Sequence, residues 1–168
     1  MLAAALAVVA TVSIAHGQAN TGSAVYRYRA AIAALMQIKP GMTVAEVAPA
    51  PVIGSELLAL AGSGGKVITA PADKVGVTKL EPATVDAVAV LSTLPSVLEP
   101  KTLFDGLGKA VKPGGVLLVV DVPQENDGKR IVGLEAEDVV KLATAAGFKR
   151  EAESGIVPGH YAIRFRKQ

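Results

Sequence analysis

The chemistry this chain can offer is concentrated in a few side chains. Glu46 lies in the apolar run Val44-Ala45-Glu46-Val47, and the turn after it, Ala48-Pro49-Ala50-Pro51-Val52-Ile53-Gly54-Ser55, leads into a helical stretch from Glu56 to Ala61. A strand-turn-helix unit of this kind brings backbone N–H groups and a helix N-terminus close to a nucleotide, and glycines in the turn make that approach possible. Here Ala48, Ala50 and Val52 stand where bare backbone would serve, Pro49 and Pro51 lack the N–H, and only Gly54 remains. A carboxylate ending a buried strand must reach water, a partner or a ligand, which makes Glu46 the leading candidate. Ser92 and Thr93 follow a second apolar run, Asp86 to Leu91. They sit at the carboxyl end of a strand, where open α/β sheets bind ligands, although capping or loop solvation would suit them equally.

Other chemistries are absent from the 168 residues. There is no cysteine, which removes disulfides, zinc ribbons and thiol nucleophiles. Histidines are only His16 and His160, too few for a histidine-based metal site, and no metal is expected. Neither Gly-x-Ser-x-Gly nor Gly-x-Gly-x-x-Gly occurs, so no nucleophile elbow or dinucleotide turn is present. His160, beside Pro158-Gly159, reads as a loop residue before the last strand. The 17 basic and 15 acidic side chains are interspersed, which leaves no footprint for nucleic acid. Arg27 with Arg29, and Arg164 with Arg166 and Lys167, read as a helix face and a solvated edge.

The elements that must position these residues alternate. Ala24, Val25, Tyr28, Ala31, Ile32, Leu35 and Met36 recur on one face of a helix over Ser23 to Gln37, stopped by Lys39-Pro40-Gly41-Met42. Lys66 to Ala70 reads as the second strand, broken by Pro71-Ala72-Asp73. Only Lys74 to Val85 then precede the next strand, with Val77 to Leu80 as a short strand. A crossover helix hardly fits beside it, because such a unit needs at least about 10 to 12 residues. The sheet is therefore trimmed after strand 2.

Leu103, Phe104, Leu107, Ala110 and Val111 mark another helix, ended by Lys112-Pro113-Gly114-Gly115. Val116 to Val122 is uniformly apolar but for Asp121 and suits the centre of a parallel sheet. Pro123 to Arg130 reads as a polar loop, and Glu135 to Ala146 as a helix with acidic residues in its first turn and Gly147 as its stop. Lys149 to Ser154 follows, and Tyr161 to Arg166 alternates as a strand near an edge. The fold class is α/β, a single doubly wound and mostly parallel sheet with an antiparallel C-terminal edge strand. With 51% apolar residues against 19% charged, one substantial core is expected.

Leu2 to Ala15 is almost continuously apolar, and a polar spacer from Gln18 to Ser23 follows. Residues 1–17 read as a secretory signal or as a retained apolar helix, residues 18–43 as linker and amphipathic helix, and residues 44–168 as the main domain. The first alternative implies export to the periplasm with no stable membrane insertion after processing; the second implies a cytoplasmic protein.

Ile38 to Val47, Val85 to Val88 and Leu107 to Leu117 together resemble the Rossmann-like S-adenosylmethionine-dependent methyltransferases. The most recognisable piece is the Lys112-Pro113-Gly114-Gly115 turn before a buried strand. The ending, Ala145 to Lys149 with Glu153-Ser154 and Arg164 to Lys167, is similar to a group of exported predicted methyltransferases. The resemblance implies that Glu46, with Ala48, Ala50 and Gly54 at or near the glycine places, holds the amino-acid end of the cofactor. It also implies an acid for the ribose hydroxyls at the end of the second strand. That strand ends Thr69-Ala70, and Asp73 comes three residues later, where its ordinary reading is a turn residue. Glu81 falls in the adenine-contact region, and Ser92 and Thr93 in the substrate-facing one. No general base stands out. The expected ligand is a small molecule, S-adenosylmethionine or another adenine nucleotide in a remodelled site. The alternatives are an oxidoreductase using NADH or NADPH on the same sheet, and a non-catalytic descendant that binds a small molecule or a protein.

Overall fold

The computed structural model describes residues 23–126 and 131–168. The expected signal or apolar helix of residues 1–17 lies outside the described residues. The N-terminal helix forms as two pieces, α1 (Ala24–Arg27) and α2 (Arg29–Leu35), which meet at Tyr28. Strand β1 (Thr43–Val47), α3 (Gly54–Ala61) and β2 (Lys66–Thr69) make the first crossover. Strand β3 (Val85–Leu91), a short 3₁₀ turn at Leu94–Ser96, α4 (Pro100–Ala110) and β4 (Val111–Asp121) make the second. The chain ends with β5 (Glu125–Asn126), β6 (Ile131–Val132), α5 (Ala136–Ala145), β7 (Phe148–Ser154) and β8 (Tyr161–Lys167).

Six strands form one sheet in the order β2-β1-β3-β4-β8-β7. Strands β2, β1, β3 and β4 are parallel, and β8 runs antiparallel to both of its neighbours. The C-terminal strands thus form the far edge, with β7 outermost. Successive residues of each central strand alternate between two cores, as the pleat requires. Ala45, Val88, Val90, Leu117 and Val119 meet Leu103, Phe104 and Leu107 of α4 and Val139 and Ala143 of α5. Val44, Ala87, Leu91, Leu118 and Val120 meet Val25, Ile32 and Met36 of the N-terminal helices and Ile53 and Leu57 around α3. Helices therefore cover both faces, and β1 and β3 flank the point where the strand order reverses.

Three expectations are corrected. Val77 to Leu80 do not form a strand, because residues 70–84 run along α4 instead, with Lys74 and Gly76 at its start and Ala83 and Thr84 at its end. The Asp73 carboxylate turns the chain by accepting the N–H groups of Val75 and Val77, and the Leu98 N–H donates to the Lys74 carbonyl. Gly76 is pressed so closely onto α4 that a Cβ there would lie 2.9 Å from the Glu99 carbonyl oxygen. The segment is shortened, as expected, with neither strand nor helix. The polar stretch after Val122 is not wholly loop, since β5 and β6 pair as a two-residue antiparallel ribbon. Strand β4 also begins earlier than its apolar run, at Val111, with a register shift between Val85 and Ala87 opposite the Lys-Pro-Gly-Gly turn.

That turn is a structural device. Lys112 Nζ lies 2.8 Å from Asp86 Oδ1, while Asp86 Oδ2 accepts the Thr43 N–H at 2.8 Å, tying together the amino ends of β4, β3 and β1. Gly114 adopts φ +76, and a Cβ on Gly115 would lie 2.7 Å from the Asp86 carbonyl oxygen.

Candidate functional site at the carboxyl ends of β1, β3 and β4

Glu46 is the penultimate residue of β1, paired with Thr69 on β2 and Ala89 on β3, and its side chain is wholly buried. Alternation puts it on the same face as Val44, towards α3. Its Oε1 accepts the N–H groups of Val52 at 2.6 Å and Ile53 at 2.9 Å, just ahead of the first turn of α3. The proline-rich turn therefore brings its donors onto Glu46 itself, and the carboxylate faces the positive end of the helix. Oε2 is buried without a hydrogen-bond partner, and a Cβ on Gly54 would lie 3.3 Å from it. Burial pushes the Glu46 carboxyl above its ordinary value, and Glu56 adds to the rise. The N–H groups of Ile53, Val52 and Gly54 oppose it without cancelling it.

Glu46, Thr93 and Asp121 are the buried polar side chains among the described residues, and all three stand at the same end of the sheet. Asp121 closes β4. Its Oδ2 accepts the N–H groups of Thr93 at 2.8 Å and Leu94 at 2.9 Å, and its Oδ1 accepts that of Val122 at 2.9 Å. Thr93 Oγ1 lies 3.0 Å from the carbonyl oxygens of Val47 and Leu91, to which its hydroxyl donates. The ends of β1, β3 and β4 are thus stitched together through Thr93. Burial raises the Asp121 carboxyl despite these three N–H groups and the neighbouring His160.

Ser92, held between Leu91 and this knot, is exposed and has φ +47, a conformation uncommon outside glycine. Strained backbone of this kind at the carboxyl end of a central strand is a recognised mark of functional positions. Asp121 was missed at the sequence level, although it ends an apolar strand as Glu46 does, and that shared pattern was the available signal.

The remaining sequence candidates fall into three groups. Ala48 is buried and Ala50 half-buried in the turn around Glu46, and Gly54 begins α3, so these residues are brought together. Asp73 is exposed, with Oδ1 engaged in its own turn rather than hydrogen-bonded to the groups around Glu46. Glu81 belongs to the opposite end of the sheet. Its carbonyl accepts the Thr84 hydroxyl, and the Thr84 N–H in turn bonds to Ala110, beside the start of β3 and β4. Glu81 is therefore separated from the site. Among the basic clusters, Arg29 is paired with Glu56 of α3 at 2.7 Å and stacks on Tyr26. Arg164 and Arg166 share the Glu151 carboxylate, so this group is an ion-pair network rather than a freely solvated edge.

A cavity of about 440 Å³ opens beside the site, lined in part by Glu135, Glu153, His160 and Tyr161. The Tyr161 hydroxyl donates to the Leu134 carbonyl. Burial and the charges of Asp121 and Glu135 raise its ionisation well above the normal range. His160 Nδ1 is 2.9 Å from the Pro158 carbonyl oxygen, which fixes the proton on that nitrogen when the ring is neutral. Among the described residues no helix is long and apolar enough to cross a membrane.

No family model matches the sequence, and no curated protein matches it. Solved structures do match the fold. A SAM-dependent methyltransferase from Aquifex aeolicus superposes with a TM-score of 0.65 at 17% identity, over 83% of this chain and 89% of that one. An S-adenosylmethionine-dependent methyltransferase from Mesorhizobium loti superposes with a TM-score of 0.59 at 12% identity, over 87% of this chain and 99% of that one. The [4+2]-cyclase SpnF superposes with a TM-score of 0.60 at 16% identity, over 84% and 80%. A fold shared with a cyclase as well as with methyltransferases does not by itself name a reaction. The chain has the Rossmann-like fold of the S-adenosylmethionine-dependent methyltransferases.

Proposed function

We propose that this chain is a small methyltransferase-like protein that binds S-adenosylmethionine in a remodelled site at the carboxyl ends of β1 and β3. The observation that carries the reading is the unpartnered, fully buried Oε2 of Glu46 at the point where the strand order reverses. A buried carboxylate oxygen without a donor is costly, and a ligand ammonium or hydroxyl supplies the missing bond. The residues present fit the amino-acid end of the cofactor in their donor and acceptor chemistry, and because Oε2 is wholly buried the turn of residues 48–54 has to move for the ligand to reach it. At the ribose end the fit is poorer, because Thr69 and Ala70 close β2 and Asp73 is engaged in its turn. When bound, the cofactor supplies an electrophilic methyl group; the chain supplies Glu46 to hold the amino group and Thr93 with Asp121 to fix the neighbouring strand ends.

The same geometry disfavours the oxidoreductase alternative. A dinucleotide pyrophosphate needs backbone N–H groups in the turn ahead of α3, and those of Val52 and Ile53 already bond to Glu46. Binding without turnover is the non-catalytic form of the same reading. The test is calorimetric titration of S-adenosylmethionine, S-adenosylhomocysteine, NADH and NADPH against the wild type and Glu46→Gln. The expected result is binding of the two adenosyl amino acids, lost in the variant while its circular dichroism is unchanged. Heat from NADH or NADPH alone, or from none of the four at millimolar concentration, overturns the proposal.

A further inference from the structure

The two edges of the sheet are built differently. Strand β7 carries Lys149, Arg150, Glu151 and Glu153 and a register irregularity between Arg150 and Ala152, devices that discourage strand addition. Strand β2, at the other edge, is Lys66-Val67-Ile68-Thr69, with its middle residues half-buried and neither proline nor acid within it. The Lys66 N–H bonds to Met42 and the Ala70 N–H to Glu46, so the main chain at even positions faces β1. The N–H and C=O groups of Val67 and Thr69 consequently face outwards, and among the described residues no strand pairs with β2 on that side. Residues 70–84 add no strand there because they fold onto α4.

We propose that this edge is a self-association surface, on which β2 of a second copy pairs antiparallel about a two-fold axis through Ile68. In that register Val67 of one copy exchanges main-chain hydrogen bonds with Thr69 of the other, which uses the outward groups of both strands. Ile68 packs against Ile68 of the second copy. Each Lys66 falls opposite Ala70 of the second copy, three residues from its Asp73. The side chain of Lys66 shares the face of Ile68, and that is the face on which Ala72 and Leu80 of the 70–84 segment pack. Lys66 and Asp73 are both exposed, and Asp73 Oδ1 alone is engaged in the turn. The symmetry therefore makes two complementary charge pairs, whereas a parallel register would set lysine beside lysine.

Leu58 adds apolar area on the opposite face. It is 52% exposed on the flank of α3 away from Glu56, the residue that ties α3 to α2. Four-residue strands with this flank make a small interface of the weak, transient class, below about 1,200 Å².

The experiment is sedimentation velocity on the full chain from about 10 μM to about 1 mM, a span chosen for that class of interface. The expected result is a rise towards twice the monomer mass, with Thr69→Pro remaining monomeric throughout. Proline there removes one outward N–H and none that faces β1. Lys66→Glu, which sets like charges against Asp73, is expected to weaken association at least fivefold, and both variants keep the wild-type circular dichroism. A wild type that stays monomeric across the range overturns the proposal. So does association that both variants leave unchanged, or exchange-protected Val67 and Thr69 amides in the monomer, which would mean that another part of the chain covers the edge.

Discussion

Truncating Glu46 tests whether its carboxylate is the internal acceptor for the turn before α3. In Glu46→Ala the N–H groups of Val52 and Ile53 lose their acceptor. At about 1–3 kcal/mol for each buried group left unpaired, the gross cost is about 2–6 kcal/mol. Removing the unpartnered Oε2 returns about 1–3 kcal/mol of the same kind of penalty, leaving a net loss of about 1–3 kcal/mol. A chain of this length loses about 2–4 °C in Tm per kcal/mol, so the melting point should fall by about 2–12 °C. Glu46→Gln retains an oxygen for both N–H groups, and its Tm at pH 7 should stay within about 3 °C of the wild type. The assay is thermal unfolding by circular dichroism at pH 7. Alanine melting within about 1 °C of the wild type, or glutamine falling as far as alanine, refutes the reasoning.

Burial raises both Glu46 and Asp121, so the native state holds protons more tightly than the unfolded chain. Their contribution is greatest below the ordinary carboxylate values of 4.5 and 3.8 and is lost as pH rises through the higher folded values. Urea unfolding at a series of pH values should show that decline, and it should flatten in the Glu46→Gln, Asp121→Asn double variant; an unchanged slope argues against the assignment. Gly115→Ala should cost about 1–3 kcal/mol, because the new methyl meets the Asp86 and Lys112 carbonyl oxygens at 2.7 and 2.9 Å. A denaturation midpoint equal to wild type would show that the turn yields freely. Ser92→Gly should stabilise the fold by about 0.5–1 kcal/mol by relieving φ +47. The same calorimetric titration would show whether the lost hydroxyl also weakens the adenosyl ligand.

The alternation of strands and helices was legible because it rests on periodic burial, and Lys112-Pro113-Gly114-Gly115 was legible because a turn between α4 and a buried strand needs those residue types. The site was only partly so. Glu46 and Thr93 announce themselves as polar residues at the ends of apolar runs, yet Asp121, in the same position on β4, was hidden by the uniformity of the strand before it. Nothing local in Val77 to Leu80 reveals that the segment packs onto α4, since the decisive contacts run from Gly76 to Glu99 and from Lys74 to Leu98. The break at Tyr28, where the backbone leaves the helical region at φ −100 and ψ 13, has no signal in the apolar periodicity either. Side-chain periodicity reports which face is buried, and it does not report what lies across the gap.

The position of β8 bears on how the chain is made. The last strand enters the interior of the sheet, between β4 and β7, and its Arg164 and Arg166 reach back to the Leu35 carbonyl and the Gln37 side chain at the end of the N-terminal helix. During synthesis β4 keeps an open side until β8 has emerged from the ribosome, and β7 has nothing to pair with until then. Completion of the sheet is therefore gated by the emergence of β8, and a nascent chain that stops short of it leaves the apolar edge of β4 bare, the natural target of a chaperone.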